Sequence, residues 1–114
     1  VVTADVDERH GTGRDARSVC RHNATAKAMQ VSERFPKQTV LGADTLVHLG
    51  DELFGKPSSL AEAQRMLRRL SGQTHRVITA CALVQGKRKR VFSVMTRVAF
   101  RELNDRQIRN YICE

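Results

Sequence analysis

One carboxylate stands inside an otherwise apolar run, and it is the strongest candidate for chemistry in this sequence. Asp44 lies within residues 40–47, which read Val-Leu-Gly-Ala-Asp-Thr-Leu-Val. An ionised carboxylate in such surroundings is costly unless a cation, a metal ion or a solvated cleft compensates it. Two interpretations are open: a catalytic or metal-binding acid, and an aspartate at a strand end that hydrogen-bonds its own turn.

A lysine in a tight loop is the second candidate. Lys56 lies between Gly55 and Pro57, shortly before a predicted helix start. The glycine lets a ligand approach the backbone, the proline stiffens the loop, and the ammonium group offers a point charge for phosphate. Helix N-termini also favour anions. The alternative is an ordinary loop lysine before a capped helix.

Two further charged residues could take part in the same chemistry. Lys27 lies among alanines in a predicted helix, where a solvated lysine is the usual finding. Glu8 follows Asp7 at the end of a short apolar run, and its carboxylate could bind a divalent cation. Taken singly, neither residue shows whether it has a functional role or is an ordinary charged residue at the surface.

The elements that would position these residues alternate between strands and helices. Ser59 and Glu62 form a capping box at the start of one helix, and Gly72 supplies its left-handed stop. We predict, in chain order, a strand at 1–6, a helix at 14–35, strands at 39–49 and 53–57, a helix at 60–70, strands at 75–85 and 90–101, and a helix from 104. This order predicts one α/β domain, residues 1–114, with a mixed sheet and flanking helices, since the last two strands form an antiparallel hairpin.

The two hairpin strands differ in their apolar patterns. Residues 75–85 are apolar on both faces, which is typical of a central strand. In residues 90–101, Phe92 and Val94 alternate with Ser93 and Arg97, which predicts that the face with Phe92 is buried.

Charge and composition narrow the function classes. The formal net charge is +8, which favours either a nucleic-acid surface or a site for a small polyanion such as a nucleoside triphosphate. Aromatic content is only 4% with no Trp, so base stacking is poorly supported and nucleic acid is an unfavoured partner. No apolar stretch is long enough to span a bilayer. Three cysteines without CxxC spacing argue against zinc and a disulfide framework, and favour a reducing cytoplasm.

Read together, these segments resemble the Maf family of nucleotide pyrophosphatases. Residues 42–47 match a GADTxV strand, residues 55–57 match GKP, and residues 70–79 match an LSGxxHxVxT block. Asp7-Glu8 is similar to the family's DE, and Lys27-Ala28 to the KA of its first long helix. The order and spacing of these motifs make the resemblance specific, and it implies the Maf/ITPase-like fold.

The resemblance implies hydrolysis of dTTP, UTP or a non-standard nucleotide to the monophosphate and pyrophosphate, with Mg²⁺ or Mn²⁺. Asp44 would accept the proton of the attacking water, Lys27 and Lys56 would hold the phosphate chain, and Glu8 with Asp44 would hold the metal. Thr45 would contribute to substrate binding, because the branch similar to dTTP/UTP pyrophosphatases carries Thr after the Asp.

The resemblance also implies missing parts. Neither the family's SxSPRR-type opening nor its DKAGAYGIQG-like continuation has a counterpart here. We therefore expect a domain incomplete at both ends, with weak or no turnover by the 114 residues alone. A homodimer is a further expectation. The alternative hypothesis is a non-catalytic basic module that binds nucleic acid or another partner, and it rests on the charge and on the basic run 87–90.

Overall fold

A computed structural model describes residues 15–113, with side chains through Ile112. The predicted strand at 1–6 and Glu8 lie outside this part of the chain. Within it, three helices and four strands follow one another: α1 (Ala16–Arg34), β1 (Val40–Leu49), β2 (Glu52–Phe54), α2 (Leu60–Leu70), β3 (Thr74–Gln85), β4 (Arg88–Ala99) and α3 (Asp105–Cys113).

The four strands form one sheet in the order β2-β1-β3-β4. Every neighbouring pair in it is antiparallel. The predicted α/β class is confirmed. A mixed sheet was expected, and no parallel pair occurs within residues 15–113, because short turns join β1 to β2 and β3 to β4 and thereby set those pairs antiparallel.

Helix α1 packs on one face of the sheet and forms the main core with it. Small residues of the helix, including Cys20, Ala24 and Ala28, are buried against Leu46 and Ile78 of β1 and β3. Small side chains let a helix backbone approach a sheet closely. The core therefore lies beneath β1 and β3, and β3 occupies the interior position predicted for it.

The other face of the sheet remains more open. Leu41 is 63% exposed, Phe92 47% and Val94 60%. The prediction that the Phe92 face of β4 is buried is therefore wrong for the described part of the chain. The reason is that α1 covers the opposite face, where Val91 packs against the core.

Helices α2 and α3 contact each other beside this sheet. The N-cap Ser59 accepts a hydrogen bond from the amide of Glu62, as predicted, while the Glu62 carboxylate accepts from the amide of Ser58. Asn104 and Gln107 form a reciprocal capping box at the start of α3. None of the helices in residues 15–113 has the length and apolar character that crossing a membrane requires.

Candidate functional site

Asp44 lies beneath helix α1 and meets two side chains of that helix. Alternate residues of β1 point to opposite faces, and this alternation buries Asp44 to 8% exposure on the face covered by α1. The ammonium of Lys27 lies 3.2 Å from Oδ1, and the amide of Asn23 donates to Oδ2 at 3.3 Å. Asn23 and Lys27 are four residues apart and so share one helix face. The sequence-predicted acid and one predicted lysine are thus brought together.

The ion pair resolves the cost of placing a carboxylate in an apolar strand. The side chain of Asp44 is 7% exposed, whereas that of Lys27 is 26% exposed. Screening by water is weak where the carboxylate lies and stronger around the ammonium group. Lys27 can therefore compensate Asp44 while remaining reachable by an anion from solvent.

A glycine sets how closely the helix and the strand approach. A Cβ atom at Gly42 would lie 2.5 Å from the carbonyl oxygen of Ala24 and 2.8 Å from the amide nitrogen of Ala28. Both of these atoms belong to the backbone and cannot rotate away. Gly42 is therefore required for α1 to lie at the depth where Lys27 reaches Asp44.

Cys20 lies under the same strand but does not provide a nucleophile. Its thiol is fully buried and donates to the carbonyl oxygen of Asp44 at 3.1 Å. Burial, together with the charge of the Asp44 carboxylate, raises the pKa of Cys20 to about 11. Because the thiolate is the reactive form, Cys20 stays protonated and structural near neutral pH.

Lys56 lies outside the immediate surroundings of Asp44. It follows β2 and lines a cavity of about 270 Å³ together with Arg65 and Arg69 of α2. Glu62 also lines this cavity, and its carboxylate accepts hydrogen bonds from Ser58. No contact within residues 15–113 joins Lys56 to Asp44, so a bound molecule would have to connect them.

Thr45 points to the face of β1 opposite Asp44. It is exposed, and its Oγ1 lies 3.2 Å from Oγ1 of Thr79 on the neighbouring strand β3. The structure therefore separates Thr45 from the Lys27–Asp44 pair. Its role in substrate binding stays a prediction.

Only part of the metal site expected from the resemblance lies within the described residues. Glu8 lies outside the described residues, and residues 15–113 contain no group of three or more His, Cys, Asp or Glu side chains able to hold a metal ion. Asp44 is the one predicted metal ligand that the described part of the chain includes.

Asn23 is the site residue that the sequence interpretation did not identify. It is 1% exposed, and a buried amide must find partners. The sequence does contain an indication of this role. Asn23 precedes Lys27 by one helical turn, and a polar residue beside Ala24, Ala26 and Ala28 is unusual on a buried face.

Fold and site together define an α/β protein in which a buried strand carboxylate is paired with a lysine of the covering helix. The family model described as "Maf-like protein" matches residues 1–114. The chain therefore belongs to the Maf family.

Curated relatives agree with this assignment. The chain is 42% identical over 112 residues to a dTTP/UTP pyrophosphatase of Akkermansia muciniphila, covering 98% of this chain and 59% of the relative. It is 45% identical over 111 residues to a dTTP/UTP pyrophosphatase of Myxococcus xanthus, covering 97% and 56%. A third relative of the same name, from Symbiobacterium thermophilum, is 41% identical over 112 residues, covering 98% and 58%. The chain thus spans somewhat more than half the length of these three relatives.

Proposed function

We propose that this chain supplies the acid–lysine pair of a nucleoside triphosphate pyrophosphatase. Its substrate would be dTTP, UTP or a related non-standard nucleotide, and its products the monophosphate and pyrophosphate. The observation that carries the proposal is the buried Asp44 carboxylate with the ammonium of Lys27 3.2 Å away. The relatives from Akkermansia muciniphila and Myxococcus xanthus are dTTP/UTP pyrophosphatases, which supports the substrate class.

The proposed chemistry is attack of a water molecule on the α-phosphorus. Asp44 accepts a proton from that water, the new bond forms between the water oxygen and the α-phosphorus, and the bond from the α-phosphorus to the bridging oxygen breaks. Pyrophosphate leaves with the bond electrons. A positioned base in a low-dielectric site is suited to this task.

The lysines offset the negative charge of the phosphate chain. Lys27 is partly exposed and can turn from Asp44 to a phosphate oxygen when substrate arrives, which frees the carboxylate to act as a base. Lys56 and Arg65 give the cavity beside α2 two cations that suit the departing pyrophosphate, while Arg69 of the same lining is paired with Glu52. Substrate would thus bridge two groups that do not touch in its absence.

A divalent cation fits this arrangement when it arrives with the nucleotide. Mg²⁺ is usually bound by one or two carboxylates together with substrate phosphates and water, and Asp44 supplies one such carboxylate. With Glu8 as the second proposed ligand, a Mg²⁺ or Mn²⁺ ion would neutralise charge on the phosphates.

Two further proposals concern location and assembly. The free thiols of Cys20 and Cys81 suit a reducing cytoplasm. A homodimer is the proposed assembly.

The identity of the released phosphate tests the reaction type. In a protein that contains residues 1–114 and the additional length of its relatives, incubation with dTTP and Mg²⁺ should release pyrophosphate and dTMP. Ion chromatography distinguishes pyrophosphate from orthophosphate. Release of orthophosphate with dTDP would contradict the proposal, because attack would then have occurred at the γ-phosphorus.

A basic binding module is the second candidate, and one observation favours it. Residues 87–90 are all exposed, from the turn after β3 into the start of β4, and Gly86 in that turn has a φ of 59°. Replacing Lys87, Arg88, Lys89 and Arg90 with Gln should leave dTTP hydrolysis unchanged. RNA binding of micromolar or tighter affinity with a steep salt dependence, lost in that variant, would favour the binding module if the original protein does not hydrolyse dTTP.

A further inference from the structure

A row of basic side chains crosses three strands of the sheet at a distance from Asp44. His48 of β1 lies opposite Arg76 of β3, and Arg76 lies opposite Arg97 of β4. His48 follows Asp44 by four residues on the same face, which separates them by roughly 13 Å along the strand. The three side chains line one cavity of about 350 Å³, together with Gly50 and Thr74.

The imidazole of His48 lacks a partner that its burial requires. His48 is 8% exposed, and both of its ring nitrogens are buried without a hydrogen-bond partner. A buried polar group without a partner costs about 1–3 kcal/mol. Such a group in a native protein points to a water molecule or a ligand that completes it.

The positive charges of Arg76 and Arg97 are not balanced by an acidic side chain in the lining of this cavity. Like charges directly opposite each other on antiparallel strands are destabilising, and Arg76 and Arg97 are such a pair. Neither takes part in the salt bridges found within residues 15–113. The lining of the cavity contains no Asp or Glu. An anion between the guanidinium groups would remove the repulsion.

We infer that His48, Arg76 and Arg97 form a binding site for a phosphate-type oxyanion. Guanidinium groups donate in a fork that matches phosphate oxygens. Thr74 adds a hydroxyl donor. Both ring nitrogens of His48 are buried, so the imidazole would rotate for its N–H to complete the contacts. A cation is disfavoured by the charge of the lining. The site uses none of the residues assigned to hydrolysis, so it is independent of the proposed function.

Titration of a protein that contains residues 1–114 with inorganic phosphate at constant ionic strength tests this site. Nitrogen-15 NMR should show saturable shifts of the His48 ring, while the exposed His22 provides an internal control. Replacing Arg76 or Arg97 with Gln should weaken phosphate affinity by about tenfold each, as expected for loss of one charge-assisted contact. Both arginines are exposed, so these variants should retain the fold.

Arg88→Gln is the matched control, because it removes the same charge at the far end of β4. Its phosphate affinity should stay within about twofold of the original, a difference well below that of a direct contact. Lys56→Gln should also leave the His48 shifts unchanged, which separates this site from the proposed substrate site. Equal weakening by Arg88→Gln and Arg76→Gln, or shifts that do not saturate, would overturn the inference.

A parallel titration identifies the source of the oxyanion. Inorganic phosphate and dTMP carry the same phosphoryl chemistry, whereas thymidine lacks it. Equal saturable His48 shifts with phosphate and dTMP would support a site for the free ion. Saturable shifts with dTMP alone would support a site for a nucleotide phosphoryl group. Shifts with thymidine equal to those with dTMP would contradict an oxyanion site.

Discussion

The charge of Lys27 holds the buried Asp44 carboxylate in place. Replacing Lys27 with Met keeps most of the length of the side chain but leaves Asp44, 8% exposed, without its cation. Because Lys27 is partly exposed, we expect a loss of about 2 kcal/mol in the free energy of unfolding, below the range for fully buried pairs. Urea unfolding measures this loss.

A double variant separates the charge from the packing. Adding Asp44→Asn to Lys27→Met removes the uncompensated carboxylate, so part of the lost stability should return. Lys37→Met, at an exposed position outside the helices, is the control and should change stability little. An Lys27→Met variant as stable as the original protein would contradict the account of the pair.

Cys20 gives the folded chain a specific sensitivity to alkaline pH. Burial raises its pKa from 9.0 to about 11, so the folded state favours the neutral thiol. Its contribution to stability is present below pH 9 and is lost as the pH rises from about 9 through 11. Cys20→Ala should therefore lose less stability than the original protein over that interval, as urea unfolding at pH 8, 9 and 10 would show. Parallel pH profiles for the two proteins would contradict this assignment.

For individual residues, the sequence predicted which side chains form the site better than it predicted the contacts between them. Asp44 stood out because a carboxylate in an apolar strand demands compensation, and Lys27 was identified through the family resemblance. The partnership of Asp44 with Asn23 depends on how helix α1 lies across β1. That crossing is a property of tertiary packing, which no local pattern encodes.

Among the elements, α1 and β1 approach so closely at Gly42 that no added side-chain atom fits between them. Gly42→Ala would place a Cβ atom 2.5 Å from the backbone oxygen of Ala24, so helix and strand must separate. We expect a loss of about 2 kcal/mol in stability, typical of overpacking a core. Thermal unfolding measures the loss.

Gly55→Ala is the matched control, since a Cβ atom there meets nothing within 4 Å. The Gly55 backbone also lacks a positive φ. This variant should unfold close to the original temperature. Equal destabilisation by the two substitutions would show that the close approach at Gly42 does not govern stability.

The boundaries of α2 were predictable, whereas the covered face of β4 was not. Helix α2 runs from Leu60 to Leu70 as predicted, because Ser59 caps its start and Gly72, with φ 69°, follows its end. Alternation in β4 correctly indicates two different faces, but it does not say which face another element covers. Val94 is exposed because α1 packs on the other side.

For the whole molecule, the positive charge is divided among separate places. Basic side chains line the cavity around Lys56, cross the sheet from His48 to Arg97 and occupy residues 87–90 at the start of β4. The sequence alone gave a charge of +8 and left nucleic acid and a small polyanion as alternatives. The cavity around Lys56 and the cavity between His48 and Arg97 are concave. Concave sites fit small phosphate-bearing molecules better than an extended nucleic-acid strand.

The turnover of an Asp44→Asn variant tests the central claim most directly. In a protein that contains residues 1–114 and hydrolyses dTTP, this change keeps the shape of the side chain but removes the proton acceptor. We predict that kcat falls by about two to four orders of magnitude. The exposed Asp105→Asn should retain activity as the control. A folded Asp44→Asn variant with the original kcat would contradict the assignment of Asp44 as the general base.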